Sequence, residues 1–361
     1  LSAERLTTLI VTQDTVECSQ QPLPPNFRTQ VQTYIQAIRE AEGNQQVPYS
    51  HALFKLLFAT PLNKNITRLL IIPDDELLYL PFETLRNKQG DYLVQQYTVQ
   101  YQYATSLLKK QTVKLSGEPT LAMAPFTQQE WHSKKDTFRV LPYSAKELEG
   151  SRGKKLLHSA ATKKAFLENL TQYTVLHLAT HARAGNAPGT SYIAFYPESD
   201  TALQALLFTE EIYHLPLGHT KLAILSACET GWGNLVKGEG LMSLSRAFRY
   251  AGCENIITSL WKADDFSTAW LMQKLTAYLE KGYAVDAAVQ KAKVDYLRDA
   301  TIHPRLKHPY YWAHLVFIGN FEPQSSSGVL YAVLVIAICF PLLLFFLWQK
   351  RKKNGPLLYK Q

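Results

Sequence analysis

The chain has 361 residues, of which 46% are hydrophobic and 19% charged, a composition that predicts folded domains and excludes a disordered or fibrous protein. The net charge is +8, but five positive charges fall in the last dozen residues, at Lys350, Arg351, Lys352, Lys353 and Lys360. Removing those five leaves +3, a surplus too small to predict direct nucleic-acid binding.

Apolar stretches alternate with amphipathic patterns along most of the chain. The predicted strands are Thr7–Thr12, Leu69–Ile72, Thr120–Ala124, Val175–Ala179, Leu222–Ser226, Asn255–Leu260 and Leu315–Ile318. The predicted helices are Pro25–Glu42, Ser144–Gly150, Thr162–Leu170, Gly240–Ala251, Asp264–Lys281 and Val285–Ala300. Several strands are continuous apolar runs, which suit strands covered on both faces of an α/β sheet. The alternating segment Tyr92–Gln102 predicts an edge hairpin element. We expect one domain over residues 1–322, and the absence of a leader before Leu1 predicts a fragment or a processed form.

The C-terminal part of the chain predicts a membrane anchor. Residues 328–348 contain no charged side chain and are long enough to cross a bilayer as a helix, although a buried core helix is the alternative. A polar linker at 323–327 precedes this segment, and a basic tail at 349–361 follows it. The basic run predicts a single-pass topology with the tail in the cytoplasm and the domain opposite. Tail-anchored insertion would instead keep the domain in the cytoplasm.

The cysteines do not form a metal-site or disulfide pattern. They are scattered, at Cys18, Cys228, Cys253 and Cys339, without a CxxC pair. No GxGxxG or GxxxxGK[ST] motif is completed either, so we expect no metal and no organic cofactor. Each cysteine is then either a small buried residue or a reactive thiol.

Two predicted strands end next to reactive side chains. Thr174–Ala179 is followed by His181, and Lys221–Ser226 is followed by Cys228. Sites in α/β sheets form outside the carboxyl ends of strands, and neighbouring strands lie about 4.8 Å apart. If these strands are neighbours, the imidazole and the thiol emerge side by side, as nucleophilic catalysis requires. The amides of Cys228 and Ala182 are candidates for an oxyanion hole.

Eight sequence blocks extend this pattern. They are Leu70–Leu85, Leu176–Ala182, Leu225–Gly231, Gly238–Leu241, Arg246–Phe248, Ala251–Gly252, Ser259–Trp261 and His308–Trp312. Together they resemble the CHAT domain, a caspase-like domain often found beside tetratricopeptide repeats in bacteria. The histidine precedes the cysteine by 47 residues (228 − 181), close to the separation of about 50 in caspases. One departure is Ala182, where glycine is common in the family.

This resemblance implies a caspase-like fold, with an open, mostly parallel sheet flanked by helices. It implies a cysteine endopeptidase that acts on a protein substrate through a His181–Cys228 dyad. It also implies an upstream tetratricopeptide-repeat or sensor region that controls the thiol.

Other functions and roles remain open from the residues alone. The domain could be a non-catalytic scaffold that binds a partner at the membrane. A serine or metal-dependent hydrolase is disfavoured, because neither G-x-S-x-G nor H-E-x-x-H occurs. We expect His177, in mid-strand, and Cys253, near a helix end, to be core residues.

Two acidic residues follow the strand Asn255–Trp261, whose carboxyl end should face the same cleft. Asp264 and Asp265 are candidate substrate-binding residues that would favour a basic side chain before the cleaved bond. Ser259–Asp265 also resembles separase, a caspase-like relative that cuts after arginine, and Asp265 aligns better than Asp264. The alternative is that these acids cap the helix ending near Lys281.

Overall fold

The structure of the protein is a computed structural model. The structure describes residues 1, 4–12, 14–41, 46–60, 62, 64–109, 115–133, 136–185, 187, 189–198, 202–227, 233–236, 240–262 and 264–320. The strands are β1 Arg5–Val11, β2 Val16–Pro22, β3 Arg68–Ile71, β4 Thr98–Tyr101, β5 Thr120–Ala124, β6 Trp131–His132, β7 Thr137–Phe138, β8 Gly153–Leu157, β9 Val175–Leu178, β10 Ala182–Arg183, β11 Tyr192–Ala194, β12 Leu206–Phe208, β13 Leu222–Leu225, β14 Gly233–Val236, β15 Gly240–Ser243, β16 Ile256–Ser259 and β17 Leu315–Ile318. The helices are α1 Phe27–Arg39, α2 Gln46–Leu57, α3 Leu93–Gln96, α4 Ser144–Glu147, α5 Lys163–Asn169, α6 Thr209–Ile212, α7 Leu244–Tyr250, α8 Asp265–Glu280, α9 Val285–Arg298 and α10 Pro309–Trp312.

An eight-stranded sheet organises the domain, in the order β3-β4-β17-β16-β13-β9-β5-β8. All neighbouring pairs in it are parallel except β16 and β17, which are antiparallel. The predicted α/β class with a mostly parallel sheet is therefore confirmed. Five strands, from β16 to β8, run in one direction, so their carboxyl ends share one edge.

The apolar strands are buried on both faces, as their sequences predicted. Along β13, Leu222 and Ile224 join one hydrophobic cluster, which includes residues of α1, α8 and α9. Ala223 and Leu225 point to the opposite face and join a second cluster, with residues of α5 and α7. Successive side chains of a strand alternate between faces, so a strand between two helical layers needs apolar residues at every position.

Two predicted elements are wrong in part. The segment Tyr92–Gln102 was expected at an edge, but it forms α3 and then β4, which lies inside the sheet between β3 and β17. Its polar residues are buried because they are bonded; the Thr98 hydroxyl donates to Gln290 Oε1 at 2.7 Å. The predicted helix Gly240–Ala251 begins only at Leu244, because residues 240–243 pair with β14 as a strand.

The C-terminal predictions fall outside the described residues. The linker 323–327, the apolar segment 328–348 and the tail 349–361 all follow Asn320, the last residue described. Within the part of the chain that is described, no helix is long and apolar enough to cross a membrane.

Candidate active site

The two strands that lead to the predicted dyad are hydrogen-bonded neighbours. Strands β9 and β13 pair in parallel, with Leu178 opposite Leu225. His181 is the third residue after Leu178, and Cys228 is the third after Leu225. The strand ends are joined further by the Ser226 hydroxyl, which donates to the Leu178 carbonyl at 3.3 Å. Cys228 itself lies outside the described residues, which stop at Ala227 on this side of the gap.

His181 has a defined proton arrangement. Its ring Nε2 lies 2.7 Å from the backbone carbonyl oxygen of Arg139. A carbonyl can only accept, so Nε2 carries the hydrogen and donates it. In the neutral ring, Nδ1 then holds the lone pair and is the nitrogen able to take a proton. The backbone is fixed as well, because the His181 carbonyl accepts from the Ala194 amide at 2.9 Å.

Aromatic packing buries the imidazole and favours its uncharged form. The ring centroid lies 5.2 Å from that of Phe126 and 5.7 Å from that of Phe138. Burial, assisted by the positive charge of Lys262, lowers the pKa of His181, while the bond to the Arg139 carbonyl opposes that shift. The proton-accepting form is therefore favoured at neutral pH.

Ala182 is placed with its amide directed away from its sheet partner. It pairs with Ile193 in the antiparallel β10–β11 ladder. Because the preceding pair, His181 and Ala194, is hydrogen-bonded, the pair of Ala182 and Ile193 is the non-hydrogen-bonded kind. The Ala182 N–H thus points outward from β11. This geometry leaves the amide open to the role in an oxyanion hole that the sequence predicts for it.

The structure gives the two acids after β16 different contacts. Strand β16 pairs in parallel with β13, as expected. Asp264 caps α8, and its Oδ1 accepts from the Ser267 amide at 2.9 Å. Asp265 lies inside the helix, is half-buried and accepts from the Tyr143 amide at 2.7 Å. Burial, with the negative charges of Glu147 and Asp264, raises the pKa of Asp265 to about 6. Helix capping therefore accounts for Asp264 but not for Asp265.

The residues expected in the core are there. His177 is fully buried in β9, with its Nε2 3.6 Å from the buried carboxylate of Glu147. Cys253 is fully buried, and burial raises the pKa of its thiol to about 12, which disfavours the thiolate form. Cys18, by contrast, is exposed on β2.

Among the described residues, no group of three or more His, Cys, Asp or Glu side chains could hold a metal ion.

One part of the site has no signal in the sequence. The Arg139 carbonyl fixes the tautomer of His181, yet every residue carries a carbonyl. The short β6–β7 hairpin that brings it there, with Phe138, consists of two-residue strands. Strands of that length have no periodicity to detect.

The model of the CHAT domain family matches residues 47–320 of this sequence. The chain belongs to the CHAT domain family. It is also similar to tetratricopeptide repeat protein 28 of Homo sapiens, with 25% identity over 344 residues, 78% of this chain and 13% of the relative. The Mus musculus protein of the same name is 24% identical over 340 residues, covering 78% of this chain and 14% of the relative. This CHAT domain chain thus spans only a small part of the curated relatives it matches.

Three solved structures are similar in fold. The Saccharomyces cerevisiae separase–securin complex aligns with a TM-score of 0.47 and 12% identity, over 74% of this chain and 17% of that chain. The complex of Porphyromonas gingivalis RgpB pro- and mature domains gives 0.47 and 10%, over 82% and 77%. The Arg-specific cysteine proteinase gingipain R gives 0.48 and 9%, over 81% and 74%.

Proposed function

We propose that this CHAT domain chain is a cysteine endopeptidase, with Cys228 as nucleophile and His181 as its acid–base partner. The observation that carries the proposal is the β9–β13 register, which brings the residues leading to both positions to the same sheet edge. Membership of the CHAT domain family also supports it. The tautomer of His181 suits the role, because Nδ1 is the nitrogen with the lone pair.

The proposed reaction follows from those groups. His181 Nδ1 takes the thiol proton, and the Cys228 thiolate attacks the scissile carbonyl carbon to form a C–S bond. The amides of Ala182 and Cys228 would receive the developing oxyanion. The C–N bond then breaks, and the imidazolium gives its proton to the leaving amine. Water, activated by the same imidazole, hydrolyses the thioester and frees the enzyme.

Removing either dyad member should abolish peptide-bond cleavage with the fold intact. We expect Cys228→Ala and His181→Ala to lose at least about 100-fold in kcat/KM, because each removes the covalent or the proton-transfer route. Cleavage of a peptide library by the whole chain is the measurement. Cys18→Ala and His214→Ala, which change an exposed thiol and an exposed imidazole, are the matched controls.

Labelling distinguishes the enzyme from a non-catalytic scaffold. In a Cys18→Ser background, a thiol probe should modify Cys228 rapidly at neutral pH, whereas Cys253 is buried. An unreactive Cys228 together with undiminished binding of a partner would favour the scaffold. Full proteolysis by either dyad variant would rule out the assignment of these residues.

We further propose that Asp265 favours Arg or Lys before the cleaved bond. Its half-buried carboxylate follows β16 in the chain, the strand beside β13, and Asp264 already serves the helix end. We expect Asp265→Asn to lower the preference for Arg over an uncharged residue by at least about tenfold. Asp264→Asn, which still caps α8, should leave the preference unchanged.

The pH dependence sharpens this assignment. The carboxyl has a pKa of about 6, so the free enzyme should lose its preference for basic residues as the pH falls through that value. In Asp265→Asn the preference should not vary with pH over the same range. A preference for acidic residues, or an unchanged basic preference in Asp265→Asn, would contradict the proposal.

We propose, from the apolar sequence alone, that residues 328–348 anchor the protein in a membrane as a single span. The basic residues after it favour a cytoplasmic tail with the peptidase on the opposite side. Protease accessibility of the domain in intact cells tests this. Complete protection from external protease would exclude the outward orientation, and recovery of the whole chain in the soluble fraction would exclude the anchor.

An upstream control region is the last part of the proposal. The curated relatives are named for tetratricopeptide repeats, and this chain covers 13% of the human one. We propose that a repeat or sensor region, in the same or a partner protein, keeps the thiol inactive until a signal arrives. Constitutive activity in cells without any such partner would contradict this control.

A further inference from the structure

The short β6–β7 hairpin makes direct contact with the candidate base, His181. Strands β6 and β7 pair with Trp131 opposite Phe138. The Trp131 and Phe138 rings are stacked, with centroids 5.0 Å apart, and Phe138 stacks in turn on Phe126 at 5.6 Å. The same Phe138 ring lies against the imidazole of His181.

Two consecutive residues at the end of this hairpin constrain the imidazole. Phe138 covers the ring from one side, while the carbonyl of Arg139 binds its Nε2–H at 2.7 Å. Any displacement of the hairpin would remove both contacts together. The orientation and the tautomer of the base therefore depend on where the hairpin sits.

Asp136 ties the hairpin to the chain segment that carries the base. Its Oδ1 accepts from the Arg183 guanidinium at 3.0 Å. The same carboxylate also acts on the Tyr192 hydroxyl, whose pKa is raised to about 12 by burial and then by Asp136. Arg183 and Tyr192 are opposite one another in the β10–β11 ladder, which begins directly after His181. One carboxylate thus holds the hairpin to β10, the strand that directly follows the base.

We propose that the β6–β7 hairpin holds the imidazole of His181 in position for proton transfer, and that Asp136 is a positioning residue for this base. The inference rests on the proposed function of His181. When Asp136 no longer holds the hairpin, water reaches the ring and the Nε2–H loses its carbonyl partner. The base then samples orientations that do not point Nδ1 toward the thiol.

The elements that pack against the ring or follow it in the chain carry charged residues at three places among those described, and after burial the charge of Lys262 lowers the pKa of His181. Lys262 follows β16, Arg183 lies on β10, and Asp136 and Arg139 belong to the hairpin and the residue after it. Variants that remove these charges one at a time distinguish a direct charge effect on the pKa of His181 from a change in the position of its ring.

The test combines kinetics with selective imidazole NMR on the whole chain. We expect Asp136→Ala to lower kcat about tenfold with KM nearly unchanged, because the base is misplaced while the substrate still binds. The pKa of His181 should rise toward its ordinary value, so the acid limb of kcat/KM moves to higher pH. Asp136→Asn, whose amide oxygen can still accept from Arg183, should restore most of the activity.

Glu118→Ala is the matched control. Glu118 is also a carboxylate paired with a cation, Lys221 at 2.6 Å, and it accepts from the Thr174 hydroxyl at 2.6 Å. It is as exposed as Asp136 but lies at the amino end of the same strands. This variant should leave both the pKa of His181 and the acid limb in place.

The NMR titration is run in Cys228→Ala protein, so it needs no cleavage activity, and His181→Asn assigns the signal. An unchanged His181 pKa and tautomer in Asp136→Ala would overturn the positioning role, whatever the activity of the wild-type protein. Failure of the proposed function would appear separately, as cleavage that survives Cys228→Ala. If Asp136→Ala does not fold, Arg183→Gln replaces it as the test. We then expect a smaller rise in the pKa of His181, and the absence of a rise would overturn the inference.

Discussion

The two halves of the main sheet hold their polar residues in opposite ways. Beside β4 and β17, the Lys293 ammonium donates to both carboxylate oxygens of Glu83 at 2.8 Å, and each side chain is only 1% exposed. After β9, His181 is partly buried, with Nε2 bonded to a carbonyl and Nδ1 carrying the lone pair. The first arrangement joins α9 to the residues before β4, and the second leaves Nδ1 able to accept a hydrogen bond or a proton.

The difference shows how a fully hydrogen-bonded polar group and a partly hydrogen-bonded one behave. A buried ion pair with both oxygens bonded cannot rearrange without exposing a charge to an apolar core, so it fixes the local structure. An imidazole held through Nε2 keeps its orientation, while its Nδ1 can take and return a proton. The buried ion pair and the candidate base thus belong to separate parts of one sheet.

The largest stability effect should come from breaking the buried ion pair. Lys293→Met leaves the Glu83 carboxylate uncompensated in the core, so we expect the free energy of unfolding to fall by about 3–5 kcal/mol. The double variant Glu83→Gln with Lys293→Met should recover most of that loss. Denaturant unfolding measures both. Lys221→Met removes an exposed ion pair and should change stability by less than about 1 kcal/mol. Equal losses in Lys293→Met and Lys221→Met would mean that the buried pair fixes the local structure no more than the exposed pair does.

A smaller effect should appear in the pH dependence of stability. His314, directly before β17, is buried, and burial with the nearby Lys293 charge lowers the pKa of its imidazole to about 3. The unfolded chain binds this proton below about pH 6.5 and the folded chain does not, so stability is lost as the pH falls. Between pH 8 and pH 5 the loss should be about 2 kcal/mol from this group alone.

The variant His314→Gln tests this directly. It should flatten the acid slope of the unfolding free energy measured in urea, even if it lowers stability at every pH. His214→Gln, at an exposed position, should leave the slope as it is. A slope that does not change in His314→Gln would mean that this imidazole is protonated equally in both states.

The smallest effect should come from the helix cap beside the site. Asp264→Ala removes the acceptor of the Ser267 amide, which should lower the stability of the whole chain by about 1 kcal/mol. Thermal unfolding checks this. Thr162→Ala at the start of α5, where the hydroxyl accepts from the Ala165 amide, is a matched cap and should lose a similar amount. A much larger loss in Asp264→Ala would mean that this residue does more than cap.

The sequence predicted the strands that lead to the site because their pattern is local. Thr120–Ala124 and Leu315–Ile318 match the observed strands at both ends, and the stretch before His181 differs by one residue. Apolar runs of this length, followed by a reactive side chain, need no knowledge of distant contacts. The CHAT domain blocks added the family, which the model match confirms.

Other features depended on partners that are far away in the chain. The interior position of β4 follows from the bond between Thr98 and Gln290, 192 residues apart, which lets a polar strand be buried. The different contacts of Asp264 and Asp265 could not be predicted either, because the amide that binds Asp265 belongs to Tyr143, far away in the chain.

The sequence by itself therefore determined the α/β class, the candidate dyad types and the family, since residue identity and periodicity are properties of the chain alone. The tertiary structure decided which strands are neighbours, which nitrogen of His181 carries the hydrogen, and which acid caps α8. Those outcomes depend on backbone groups and strand pairings that come from distant parts of the chain. Carbonyl and amide groups occur all along the backbone, so only folding decides which of them reaches the site.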